Sequence, residues 1–422
     1  MFHNEPEPTV PRVAPSTGPV RPRAVADVDV DVLVVGAGVV GLAIAGELAG
    51  LGSVLVVERE EGCGRGISSR NSEVVHSGIY YEPGTLKARL CVEGRRQLEA
   101  WAAQGHFAWR PVGKFVVATE EGELPRLEAL LQRGRANGVE GLRLISPDEL
   151  RGAEPDVQAL GALWSPATGI VDSHGLMRFL EARARRAGAE FAWRSRVCGL
   201  RREGGAWTVT VEEGGSVPEA EDDGRLPLPE PVGGDRSTVR AAAVVLAGGL
   251  HSDQLAALAG VDVEGEGLRQ FWSRGEYFAP RAGACPPLRH LVYPVPPADG
   301  EGHLGIHVTV DLAGAVRFGP SAAWPEPVSR RREDFRQDGS LREAFARGVS
   351  RYLPGIRAAD LQPAGTGLRP RLRPARDFHI RRESGPGRDG LVTLLGVESP
   401  GLTSAPAIAR HVAGLLRETF RP

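Results

Sequence analysis

Residues 31–58, DVLVVGAGVVGLAIAGELAGLGSVLVVE, leave the chain little choice of local fold. A run of strand-forming residues at 32–35 meets the turn Gly36-Ala37-Gly38-Val39-Val40-Gly41. A helix-favouring segment then carries the chain to Gly52, and a second apolar run follows at 54–57. Strand, tight turn, helix and strand is the unit that holds a dinucleotide. Each glycine has a mechanical task there: Gly36 permits the sharp turn, Gly38 lets backbone approach a pyrophosphate, and Gly41 lets the helix pack closely on the strand. The pyrophosphate rests on the positive N-terminus of the helix, whose first N–H groups have no partner of their own. Glu58 closes the second strand about 20 residues beyond the first glycine, where a carboxylate accepts hydrogen bonds from an adenosine ribose. A carboxylate there repels a ribose phosphate, which argues against NADP and leaves FAD and NAD both open.

At 422 residues and 45.0 kDa the chain exceeds one small core, so two domains, consecutive or interleaved, are expected. No apolar run approaches the ~20 residues that a bilayer demands, and the N-terminus lacks the basic-then-apolar pattern of a secretion signal. The net charge of −2 gives no reason to expect a nucleic acid partner. Cys63, Cys91, Cys198 and Cys285 lie without CxxC or His-Cys spacing, which reads as reduced thiols in a cytosolic-type compartment and no metal site. Of the 51 basic residues only Lys87 and Lys114 are lysine.

Residues 1–28, rich in Pro, Val and Arg, read as a disordered tail. After Glu58 a polar loop offers Ser68, Ser69, Arg70, Asn71 and Ser72, a dense set of donors suited to phosphates and to the polar edge of a cofactor ring. Thr85 is expected to cap a helix that carries Leu90, Leu98 and Trp101 on one face. His76, Tyr80 and Tyr81 therefore lie in the loop before a helix, where loop residues meet ligand. A strand at 114–119 and a helix from 124 stopped by Asn137-Gly138 come next. Ser146-Pro147-Asp148-Glu149 then forms a capping box, and Asp172 or Ser173 caps a further helix.

Residues 191–197 and 207–211 read as strands, 213–238 as a solvated loop, and 241–246 as a buried strand ending in Ala247-Gly248-Gly249. Such an ending lets backbone pass close to a flat ligand. Residues 272–278, 291–294, 305–310 and 315–318 then read as antiparallel strands, the last two joined by a hairpin loop at 311–314. Ser340 is expected to cap the helix with Leu341, Phe345, Val349 and Tyr352 inward. Arg274, Tyr293 and His307, which interrupt apolar strands, are candidates to face a substrate. Last come an apolar strand at 391–395 and a helix capped by Thr403 or Ser404, with Pro406 in its first turn. Its N-terminus is a second place to hold negative charge.

The ordered set GAGVVGLAIA, SSRNSEVVHSGIYYEPGTLKARLCVEG, GIVD, RGEYF, LVYPVP, LGIHVTVD, VRFGPSAAW, GLRPRL and GVESPGLTSAPAIA resembles FAD-dependent L-2-hydroxyglutarate dehydrogenases, within the glycine oxidase and D-amino-acid oxidase superfamily. The similarity spans residues 29–418 apart from 213–238. It implies an α/β protein with an α+β second domain. A Rossmann-like FAD-binding domain would be built from 29–108, 165–268 and 375–422, and a β-rich substrate domain from 109–164 and 269–374 would interleave with it.

The resemblance also implies a reaction, oxidation of L-2-hydroxyglutarate to 2-oxoglutarate. Hydride leaves C2 for flavin N5 while a base takes the hydroxyl proton, and electrons pass to a quinone or carrier protein. FAD would be held by Gly36, Gly38, Gly41, Glu58, Ser69, Arg70, Asn71, Ser72, Val197, Ala247, Gly248, Gly401, Leu402 and Thr403. His76, with a near-neutral reference pKa, suits the base, and fixing the flavin is its other role. A dicarboxylate needs cationic and hydroxyl partners at both ends, for which Tyr81, Arg274, Tyr293, His307 and Arg369 are the choices, with Arg371 a substitute for Arg369. The expected location is cytoplasmic, with peripheral contact to the inner membrane left open by the tail. An amino-acid or amine oxidase, or a glycerol-3-phosphate-type dehydrogenase, is the alternative on the same framework.

Overall fold

The computed structural model describes residues 28–214, 234–297, 305–321, 335, 337–374, 376–417 and 419. The tail expected at 1–28 lies outside these except for Val28. Two eight-stranded sheets and a three-stranded one organise the described residues.

The first strand, Val30–Val35, is an apolar run buried on both faces from Val32 onward. That is the signature of an interior parallel strand. It pairs in parallel with Val54–Val57 on one side and with the end of Asp235–Leu246 on the other. Glu190–Ala192 and Leu391–Leu395 extend the parallel sheet outward on the two flanks. Val32, Val34, Val54 and Val56 join a core with residues of helices Val39–Leu48, Ser173–Arg186 and Gly401–Leu416. Leu33, Val35 and Val57 point the other way, into a core with Trp207 and Val209 of the antiparallel strand Ala206–Glu213. Because all the parallel strands run the same way, their carboxyl ends gather at one edge, and Gly36, Glu58 and Ala247 meet there.

Two sequence expectations are corrected in this sheet. The loop expected at 213–238 begins and ends in strand: Glu213 pairs with Asp235 and Thr210 with Thr238. The side chains of 235–238 are exposed, so their polarity resembles a loop while their backbone still pairs. The rest of that expected loop, 215–233, lies outside the described residues. The strand expected at 191–197 is two, Glu190–Ala192 and Ser195–Glu203, separated at Arg194, whose φ of +53° turns the chain.

The second sheet runs in the order Leu361–Leu372, Gln270–Pro280, Val316–Phe318, Val308–Val310, Leu291–Pro294, Lys114–Ala118, Gly161–Ser165, Arg143–Ile145. Its pairs are antiparallel, as expected among 272–278, 291–294, 305–310 and 315–318, except Leu291–Pro294 with Lys114–Ala118, which run parallel. Val74–Val75, Gly169–Val171 and Trp109–Arg110 form the three-stranded sheet.

The caps of Leu86–Ala103 and Pro147–Ala153 form as their sequences dictate: Thr85 Oγ1 accepts from Ala88 N at 3.2 Å, and Ser146 and Glu149 form a reciprocal box. Asp172 accepts from Gly175 N at 2.8 Å. Ser340 does not cap the helix Arg342–Ser350, which starts after Leu341 with no side-chain cap. The last helix starts at Gly401 after Pro400, also uncapped, so Thr403 sits in its first turn and Pro406 lies inside it. No helix among the described residues is long and apolar enough to cross a membrane.

Candidate active site

One cavity of about 740 Å³ extends from the glycine turn of the first sheet to the inner face of the second. At its first end Gly36 has φ +103°, and a Cβ there would lie 2.6 Å from the carbonyl oxygen of Ala247. A Cβ on Gly41 would lie 1.9 Å from the Gly36 carbonyl oxygen, so the helix Val39–Leu48 approaches the turn as closely as only glycine permits. Gly38 lines the cavity, and no side chain of its own caps that helix. Glu58 Oε2 accepts from Ala37 N at 2.6 Å and Oε1 from Glu60 N at 3.0 Å, which fixes the carboxylate at the strand end. Val197, Ala247 and Gly248 continue the wall. A glycine cradle with no room for a Cβ, a helix N-terminus and a fixed carboxylate fit the pyrophosphate and ribose of a long dinucleotide.

The serine of the polar loop that serves this cradle is Ser68. Its hydroxyl accepts from Val39 N at 3.0 Å, whereas Ser69, the residue singled out from sequence, turns its hydroxyl to Gly66 O at 3.2 Å and stays off the cavity wall. The short 3-10 turn Ile67–Ser69 puts successive side chains on different sides, which the composition of a serine pair does not disclose. Arg70, Asn71 and Ser72 do line the cavity.

Farther along, His76 is held by its backbone and by its ring. Its N–H donates to Thr403 Oγ1 at 3.0 Å, and Nε2 lies 3.2 Å from Ser399 Oγ. Burial, aided by the positive charge of Lys114, pulls the imidazole down to about 3, so the ring is neutral at physiological pH. The loop carrying His76 to Tyr81 is pinned by Asn137, whose Nδ2 donates to Gly78 O at 2.9 Å and Tyr81 O at 2.7 Å. Gly401, Leu402 and Thr403 of the uncapped last helix face the same space. Gly94 allows this, because a Cβ on it would stand 2.2 Å from Thr403 O.

The far wall comes from the second sheet. Tyr293 and His307 stack with ring centres 3.6 Å apart, and both line the cavity with Tyr81, Tyr277 and Arg369. Arg369 has no carboxylate partner among the described residues. Arg371, by contrast, is held by Glu398 at 3.2 Å, a carboxylate that also takes Lys87 at 3.2 Å. Arg274 does not reach the cavity. In the pairing of Gln270–Pro280 with Leu361–Leu372, Ser273 stands opposite Arg369 and Gly275 opposite Gly367, so Arg274 projects from the other face and pairs with Glu276 at 3.3 Å. Strand alternation in WSRGEYF selects Tyr277, not Arg274, for the cavity side. Tyr277 is the residue the motif reading missed. Gly41 also stays off the wall, as its packing task requires.

Lys114 is fully buried with Nζ 4.4 Å from the centre of the Tyr80 ring and 4.6 Å from that of Tyr293. Two cation–π contacts at up to about 2 kcal/mol each compete with a desolvation cost of several kcal/mol per buried ion. Desolvation wins, and burial pulls the ammonium down to about 7.

A dinucleotide cradle, one elongated cavity and a neutral imidazole at its far end describe a flavin oxidoreductase. The profile of the FAD dependent oxidoreductase family matches residues 31–415, and the chain belongs to that family, with FAD as its cofactor. Within it, the chain is 37% identical over 415 residues to the mitochondrial L-2-hydroxyglutarate dehydrogenase of Arabidopsis thaliana, covering 91% of this chain and 83% of that one. It is 27% identical over 374 residues to L-2-hydroxyglutarate dehydrogenase of Escherichia coli strain K12, covering 80% and 82%. Among solved structures, FAD-bound L-alpha-glycerophosphate oxidase of Mycoplasma pneumoniae superposes with a TM-score of 0.77 at 26% identity, covering 92% of this chain and 94% of that one. Glycine oxidase of Geobacillus kaustophilus shares the fold, with a TM-score of 0.71 at 22% identity and coverage of 92% and 95%.

Proposed function

We propose that this FAD enzyme oxidises L-2-hydroxyglutarate to 2-oxoglutarate and passes the electrons to a quinone or carrier protein, touching the membrane only peripherally. The observation that carries the reading is Arg369, a cavity-lining guanidinium without a carboxylate partner among the described residues, in the same space as the neutral ring of His76. FAD held along the cradle supplies the hydride acceptor.

The chain's own residues do the rest. Arg369 binds the carboxylate next to the reacting carbon in a two-pronged contact, with the hydroxyls of Tyr277 and Tyr293 beside it. Nδ1 of His76 is buried and has no partner among the described residues, while Nε2 lies on the open side next to Ser399. In this reading the neutral ring keeps its proton on Nδ1 and offers the lone pair of Nε2 to the substrate hydroxyl. Removing that proton while hydride departs from C2 leaves a carbonyl. The first turn of Gly401–Leu416 presents positive dipole to the charge that gathers on the cofactor side.

Anaerobic mixing with L- and D-2-hydroxyglutarate, L-malate, L-lactate, glycine, sarcosine and glycerol 3-phosphate tests the assignment. L-2-hydroxyglutarate should bleach the flavin absorbance fastest. Bleaching by glycine, sarcosine or glycerol 3-phosphate without bleaching by L-2-hydroxyglutarate sinks it. The 37% identity to the Arabidopsis enzyme supports this choice over the amine and glycerol-phosphate alternatives.

A further inference from the structure

The wall of the cavity is backed by a cation that the reaction above does not use. Lys114 opens the strand Lys114–Ala118, is fully buried, and its Nζ has no hydrogen-bond acceptor among the described residues. What it does have is the rings of Tyr80 and Tyr293, 4.4 and 4.6 Å away, and both tyrosines line the cavity. The Tyr80 hydroxyl is itself buried and without a partner among the described residues. The other titratable groups in reach are the Cys91 thiol of helix Leu86–Ala103 and His76, and neither is an acid that would neutralise an ammonium. An apolar side chain of the same length would fill the place at less cost. An uncompensated charge kept behind a ligand cavity points to a ligand of the opposite charge.

We propose that Lys114 is the second cation that fits this site to a dianion: Arg369 takes the carboxylate beside the reacting carbon, and Lys114, acting through Tyr80, draws the distal carboxylate. A cation on the face of a phenol pulls electron density from the ring and makes its edge more positive toward an anion. Tyr80 lines the cavity, so the distal carboxylate feels the charge across that ring. This deepens the proposed function and rests on it for the place of the first carboxylate. Lys114 is accordingly a specificity-determining, positioning residue.

The test uses two unreactive acids of equal length, glutarate and pentanoate, titrated at about pH 6, below the value to which burial pulls Lys114, into the FAD-loaded protein and followed by the flavin absorbance. The wild type should bind the dianion about tenfold or more tightly than the monoanion, and Lys114→Met should bring the ratio to within about threefold. Loss of packing alone would weaken both acids together and leave the ratio unchanged. A ratio unmoved by Lys114→Met, or a wild type with no preference for glutarate, overturns the proposal. Tyr80→Leu, which removes the ring, supplies an independent reading: its ratio should fall in the same direction, and an unchanged ratio counts against the route through Tyr80. Should L-2-hydroxyglutarate fail to bleach the flavin while the glutarate preference persists, the fault lies with the proposed substrate and not with Lys114.

Discussion

The main-chain N–H of His76 donates to the hydroxyl of Thr403 at 3.0 Å across 327 residues of sequence, tying the proposed base to the first turn of the last helix. Thr403→Val removes the acceptor that this N–H has among the described residues, at a cost of about 1–3 kcal/mol. The expected result is a rate of flavin reduction about tenfold lower, from a small misplacement of the ring, with Thr403→Ser restoring it. Stopped-flow reduction of the three proteins under anaerobic conditions reads this directly.

His76→Asn should retain FAD and lose about 10²–10⁴-fold in the reduction rate, the usual worth of a positioned base. The pH dependence has a definite sign. A base works in its neutral form, which exists above its pKa, and burial holds His76 at about 3. The limiting reduction rate at saturating substrate should therefore show no imidazole step between about pH 5 and 8. A step centred near the ordinary imidazole value would contradict the assigned environment.

Arg369 and Arg274, both expected from sequence to bind substrate, should behave differently. Arg369→Met is expected to raise the KM for the hydroxy acid about 10–100-fold, the loss of a charge-assisted contact. Arg274→Met, on the opposite face of the same strand pair, should change KM by no more than about threefold, because it lies off the cavity wall and its ion pair with Glu276 is partly exposed. Steady-state kinetics with a fixed artificial acceptor separates the outcomes.

Gly36→Ala should abolish FAD retention. The new methyl would stand 2.6 Å from the backbone oxygen of Ala247 at a φ of +103°, so a steric clash and backbone strain act together. The flavin-to-protein absorbance ratio after purification is the readout.

Lys114→Met should stabilise the protein at neutral pH while impairing selection of dianions. The folded lysine is pulled from 10.5 to about 7, so between those values the unfolded chain holds a proton that the folded one lacks. Wild-type stability then rises with pH across that window, and the penalty is fully present below it. The variant is expected to melt about 2–5 °C higher at pH 7, with the gap closing toward pH 10. Thermal denaturation across pH measures it.

Much of the first sheet was readable in sequence because its signals are local. Gly36, Gly38 and Gly41 do their work within one turn, and the caps at Thr85, Ser146 and Asp172 need only neighbours three residues away. The misreadings share one cause. Ser69 for Ser68, Arg274 for Tyr277 and Ser340 as a cap all depend on which way a side chain points, and composition carries no direction. Thr403 looked like a cap because it is a β-branched hydroxyl near a helix start. In the fold its hydroxyl serves a backbone N–H from another segment.

The sequence alone determined that a dinucleotide would be bound, because hydrogen bonding and steric exclusion over six residues suffice to shape such a turn. Only the tertiary structure decided what surrounds the other end. Tyr80 and Tyr293 flank Lys114 from a loop and a strand far apart in the chain, and His76 meets Ser399 and Thr403 across the whole chain. The charge state of a buried group follows from everything packed around it, so Lys114 became an informative residue only once its burial and its missing partner were known.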